Sequence, residues 1–302
     1  MKNLFLIYIS TSILLFSGCD NDNSTSPEPE DTSYNLAYED SIIFSAQGPS
    51  NISTIYISYI NGTGTRALTS NIVSRNPVWS HNKRKILFVG KRVDKENWGV
   101  YQINVNDYKI NLIPTKDTLC ESASYSPDMK YIAYSLYRQS NSSTIKLYNI
   151  GTGETSILLD NMPEVFHTLS WSPDSKKILL PDGVTIDIET RQLERLFQLA
   201  QGMSSLVWSP DGSKVLFSSG TPTSSSNIII YNLETDDYYP IYESNESQYS
   251  PSWSKDNSRI IFGVYPGLNQ GDPYFGMVNI DGTNFIRINY NVNSPGDPCW
   301  YK

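Results

Sequence analysis

Trp208-Ser209-Pro210-Asp211-Gly212, with Leu206-Val207 before it and Lys214-Val215-Leu216-Phe217-Ser218 after it, reads as two short strands joined by a tight turn. Pro presets φ for the start of the turn and Gly tolerates the positive φ that closes it. The same phrase, an aromatic, then Ser, then a polar turn, returns as Trp79-Ser80-His81-Asn82-Lys83, Tyr125-Ser126-Pro127-Asp128-Met129, Trp171-Ser172-Pro173-Asp174-Ser175 and Trp253-Ser254-Lys255-Asp256-Asn257. A last copy is cut short at Cys299-Trp300-Tyr301-Lys302. Recurrence at about forty-five residues marks one supersecondary unit repeated along the chain.

Downstream of Trp208 two more strands are expected, Asn227 to Tyr231 and Tyr238 to Tyr242, so each unit is a four-strand antiparallel meander. The Trp79 unit continues through Lys85 to Val89, Val100 to Val105 and Lys109 to Ile113. The Tyr125 unit continues through Tyr131 to Ser135, Ile145 to Asn149 and Thr155 to Leu159. In the shorter Trp171 unit, Pro181-Asp182-Gly183 predicts a hairpin between Ile178 to Leu180 and Val184 to Ile188. The first unit has strands at Ser41 to Phe44, Thr54 to Ile57 and Arg66 to Leu68 but lacks the phrase. The terminal Pro298-Cys299-Trp300-Tyr301 is the expected missing strand, paired with Ile42 to Phe44. Closure of this kind leaves fewer exposed strand edges. The expected fold is all-β, a six-bladed β-propeller of four-stranded antiparallel blades closed by the C-terminal strand.

The aromatic-Ser-Pro-Asp-Gly phrase followed by an apolar strand resembles the propeller repeats of the TolB-like family, and those of the prolyl oligopeptidase group, over residues 36–302. The resemblance implies the propeller architecture and leaves function open, because such propellers serve many roles. TolB has a separate domain before its propeller, whereas here a short polar stretch precedes it, so a TolB-like protein distinct from TolB is expected.

Residues 1–18 differ from the rest. Lys2 is followed by an apolar run from Leu4 to Phe16, of signal-peptide length and short for a membrane span. Leu15-Phe16-Ser17-Gly18-Cys19 resembles the lipobox of bacterial lipoproteins, which implies lipidation of Cys19 and a membrane anchor at the cell envelope. Residues 19–35, with Asp20-Asn21-Asp22-Asn23 and Pro27-Glu28-Pro29-Glu30, hold too little apolar surface to order themselves and read as a disordered linker.

Composition narrows the partners. The 302 residues include 31 acidic and 23 basic side chains with no long basic run, so nucleic acid is not an expected partner. No Gly-x-Ser-x-Gly elbow occurs, and two His, His81 and His167 in different units, do not make a multi-histidine metal site. No enzymatic activity and no cofactor are expected, and a monomer is. Cys120 and Cys299 fall in non-adjacent units and are expected not to pair.

In such meanders the turns joining strands one to two and three to four emerge on one face. The connections from two to three and from blade to blade emerge on the other. Tight turns such as Ser209-Pro210-Asp211-Gly212 are expected to be structural. The longer connections, Lys91 to Trp98, Leu136 to Ser143, Gly220 to Ser226 and Val264 to Phe275, are expected to carry recognition. Four positions before each aromatic stand Arg75, Glu121, His167, Ser204 and Tyr249, a ring expected at the channel mouth on the loop-rich face, either binding a polar group or satisfying one another. Trp98, Tyr265, Tyr274 and Phe275 are expected in the loops, for stacking on a sugar or partner, or for packing over the rim. The resulting expectation is a membrane-tethered scaffold for an envelope protein or peptide. Its alternative is a carbohydrate-binding or carbohydrate-processing propeller.

Overall fold

Six four-stranded antiparallel sheets account for the described residues. The computed structural model describes residues 41–300 apart from 49, 139–141, 163–167, 181–182, 199–201, 221–224 and 268–270. The expectations for the signal segment, Cys19, the linker, His167 and the Pro181-Asp182 turn therefore lie outside the described residues.

The first blade holds β1 (Ser41–Gln47), β2 (Ser53–Tyr59) and β3 (Arg66–Ala67). The second runs β4 (Ile72–Trp79), β5 (Lys85–Arg92), β6 (Gly99–Asn104) and β7 (Ile110–Leu112). The third is β8 (Cys120–Tyr125), β9 (Tyr131–Arg138), β10 (Ser142–Asn149) and β11 (Thr155–Met162). The fourth comprises β12 (Ser170–Trp171), β13 (Lys177–Leu179), β14 (Val184–Asp187) and β15 (Leu193–Arg195). The fifth follows with β16 (Met203–Trp208), β17 (Lys214–Ser219), β18 (Asn227–Asn232) and β19 (Tyr238–Pro240). The sixth takes β20 (Ser247–Trp253), β21 (Arg259–Tyr265), β22 (Tyr274–Asn279) and β23 (Ile286–Ile288).

The last strand, β24 (Asn293–Trp300), leaves the sixth blade and completes the first, in the sheet order β24-β1-β2-β3. Ile42 faces Trp300 and Ile43 faces Cys299 across that junction. The inner strands β4, β8, β12, β16, β20 and β24 touch in that order, and β24 returns to β4, so the ring is closed. The fold is an all-β, six-bladed propeller.

Second and third strands alternate toward the two neighbouring blades and are apolar on both faces, which is why runs such as Ile86-Leu87-Phe88-Val89 are wholly buried. Where the last blade meets the first, Phe44 packs edge-on to Phe275 at 5.3 Å and lies 4.9 Å from Tyr290. Burial of one such ring contributes roughly 1.5–3 kcal/mol. Hydrogen bonds also run from blade to blade. The Trp208 and Trp300 amides donate to Ser170 Oγ and Ser252 Oγ at 2.9 and 3.0 Å, and the Trp171 and Trp253 indoles donate to the Ser124 and Val207 carbonyls at 3.4 Å. The aromatic of the phrase is thus a splice between neighbouring inner strands.

Candidate ligand-binding channel

The phrase itself builds one rim of the channel. In every complete copy the buried Ser donates Oγ–H to the side chain two residues on, Asn82, Asp128, Asp174, Asp211 or Asp256, at 2.6–2.8 Å. The same Oγ accepts the amide of Lys85, Tyr131, Lys177, Lys214 or Arg259 at 2.9 Å. The residue after the Asn or Asp takes a left-handed φ, between 59° and 76°, at Lys83, Met129, Ser175, Gly212 and Asn257. Only Gly212 holds that conformation without a Cβ penalty, so the buried Ser network is what imposes it elsewhere. The Ser254 and Ser258 hydroxyls and the Ser258 amide hold the Asp256 carboxyl down at about 2. Such turns present their second residue to the axis: Pro127, Pro173 and Pro210 on one side, His81 and Lys255 on the other.

Three positions before each aromatic stand Asn76, Ser122, Thr168, Ser205, Ser250 and Asp297. The inner strands bulge here. Pairing with the second strand slips between Arg75 and Val78, between Ser204 and Val207, and between Tyr249 and Ser252, and Asn76, Ser205, Ser250 and Asp297 adopt φ of 48° to 55°. Ser122 instead bonds Ser135 of its own blade at 3.0 Å, and all six positions line the cavity described next.

Between this polar ring and the proline rim lies a cavity of about 470 Å³. Its walls include Trp79, Tyr125, Trp171, Trp208 and Trp300, together with Pro77, Pro251 and Pro298. The cavity is mainly apolar, with the small polar residues toward one end and the tight turns toward the other.

The tight turns expected to be structural also line the cavity. The ring expected to bind, four positions before the aromatics, contributes no described residue to the cavity wall. Arg75 pairs with Glu121 at 2.6 Å and lies 4.2 Å over the Trp98 ring. Tyr249 donates to the Pro295 carbonyl at 2.9 Å, and burial, with the nearby Asp297 carboxylate, pushes its hydroxyl up to about 12. Ser204 sits in β16, paired with Ser218.

The loop aromatics need correction as well. Tyr274 and Phe275 open β22 and are buried, Tyr274 donating to Glu246 at 2.5 Å under the Arg287 guanidinium and Phe275 packing in the core. Tyr265 ends β21 and is exposed. Trp98 bridges to Leu119 just before β6. Alternation continues further into these strands than the loop reading assumed, since Tyr274 and Phe275 pair with Val264 and Gly263.

Neither Cys120 nor Cys299 is in a disulfide, and burial, with Asp117 nearby, pushes the Cys120 thiol up to about 12. Among the described residues no three His, Cys, Asp or Glu side chains converge as a metal site would require. The polar floor was missed at sequence level. Its signal is the small polar residue recurring three places before each aromatic.

No protein-family profile and no curated protein matches the chain in sequence. Its fold is shared with solved structures. TolB from Acinetobacter baumannii superposes with a TM-score of 0.73 at 16% identity, over 86% of this chain and 66% of that one. A putative TolB from Agrobacterium tumefaciens gives 0.64 at 20% identity, over 82% and 87%. An oligogalacturonate lyase in complex with manganese gives 0.58 at 13% identity, over 82% and 73%. The fold class is that of the six-bladed β-propellers, TolB among them. Identities this low establish the fold alone, shared by proteins of unlike function.

Proposed function

We propose that this protein is a non-enzymatic binding module of the bacterial cell envelope, tethered to a membrane through lipidated Cys19, that takes up an extended segment of a protein or peptide partner in its axial channel. The observation that carries this reading is the axial cavity of about 470 Å³, lined by Pro127, Pro173 and Pro210 of the tight turns and by the inner-strand aromatics. Concave, largely preformed apolar pockets with a few converging polar groups are where ligands bind. The rim prolines and indoles suit the apolar and aromatic side chains that dominate protein recognition. The segment from Lys2 to Cys19 supports the anchor.

Selection of displayed peptides on residues 36–302 tests the reading. Enriched sequences should lose binding when Ser122→Trp or Ser205→Trp fills the channel and should tolerate Tyr265→Ala on the outer surface. Enriched peptides indifferent to channel filling would overturn it. Palmitate labelling in cells should likewise vanish with Cys19→Ala.

A carbohydrate ligand is the second reading, favoured by the same aromatic walls, because indole faces stack on sugars. Specific binding on a glycan array, abolished by Trp208→Ala, together with stoichiometric manganese or calcium in the purified protein, would replace the peptide reading with it.

A further inference from the structure

The channel floor is chemically uneven. Five of the six floor positions carry neutral side chains, and the sixth is Asp297. Its carboxylate accepts Ser45 Oγ–H at 2.8 Å on one oxygen and Ser250 Oγ–H at 3.3 Å on the other. Among the described residues no Lys or Arg pairs with it, and no other carboxylate lines the cavity. Two hydroxyl donors leave lone pairs on both oxygens unused. A metal ion would demand several oxygen or nitrogen ligands, and such a cluster is lacking among the described residues. An ammonium or guanidinium needs only one carboxylate. The opposite end of the cavity has Lys255 and His81 at its rim.

We infer that the Asp297 end of the channel is a subsite for an organic cation carried on an apolar stem, a Lys or Arg side chain or the amino terminus of the partner segment, seated against Asp297 with the stem along the apolar wall of the cavity. This rests on the binding reading above and specifies its ligand.

Three probes decide it, measured by titration calorimetry on the propeller: phenylalanyl-phenylalanine amide, its N-acetyl form, and N-acetyl-lysyl-phenylalanine amide. At least one cationic probe should bind about tenfold more tightly than the neutral N-acetyl form, the worth of a charge-assisted hydrogen bond. A preference confined to the free amine assigns a chain terminus, and one confined to the lysyl probe a side chain. Asp297→Asn should bring all three within twofold of one another, and added salt should weaken only the cationic probes in the wild-type protein. Equal binding of all three to the wild type overturns the cation subsite and leaves the apolar socket standing. Failure of all three to bind, with displayed peptides indifferent to channel filling, overturns both. If Asp297→Asn does not fold, the wild-type ratio and its salt dependence still decide.

Discussion

At the residue scale, the repeated Ser does more than occupy a turn. Its buried Oγ ties an acidic or amide side chain to a backbone amide, and this holds residues as ill-suited as Met129 in a left-handed conformation. Replacing Ser209 by Ala leaves the Lys214 amide without its 2.9 Å acceptor and should cost about 1–2 kcal/mol in urea denaturation, with little change at an exposed control such as Thr235→Ala. Asp256 supplies a second expectation. Its folded pKa, near 2, lies below the unfolded carboxylate value of about 3.9, so its contribution is complete above about pH 4 and is lost as pH falls toward 2. Asp256→Asn should therefore flatten part of the stability loss on acidification, read from denaturation midpoints across that window. The phrase was legible as a turn because Pro, Asp and Gly announce it. Its buried hydroxyl network was not, since Ser at a turn more often faces water.

At the scale of elements, strand placement followed from alternation and the turns, but strand ends did not. Tyr274 and Phe275 looked like loop aromatics because Gly271-Asp272-Pro273 precedes them, yet cross-strand pairing with β21 draws both into the sheet. The bulge three residues before Trp79, Trp208, Trp253 and Trp300 was equally hidden, because it is a slip of register between two strands and neither strand alone encodes it. Gly263 shows how tightly such a junction is fitted. A Cβ there would lie 2.3 Å from the Tyr249 ring, against which no relaxed contact exists. Gly263→Ala should cost about 1–3 kcal/mol, the range for overpacking a core. Removing the ring in the double variant with Tyr249→Ala should cancel much of that penalty, and additive losses in a double-mutant cycle would contradict the account.

Over the whole molecule, the count of blades and the exchange of the last strand to the first were readable from five complete phrases, a phrase-less beginning and a phrase at the end. Which residues line the channel was not readable, because side chains from six blades converge there and no single repeat encodes their meeting. Arg75 and Glu121 pair and Arg75 stacks over Trp98 away from the cavity, whereas Pro127, Pro173 and Pro210 of the tight turns line it. Both the socket and its charged floor depend on β24 standing beside β1, since Asp297 and Trp300 belong to that strand. Cysteines at the paired positions Gln47 and Asn293, in a chain with Cys19, Cys120 and Cys299 replaced by Ala, test this most directly by mass spectrometry after mild oxidation. The closed ring predicts an intramolecular bond between positions 47 and 293 in monomeric protein, with a raised denaturation midpoint. Absence of that bond in folded monomer, or its appearance only between chains, would contradict ring closure and remove the channel with it.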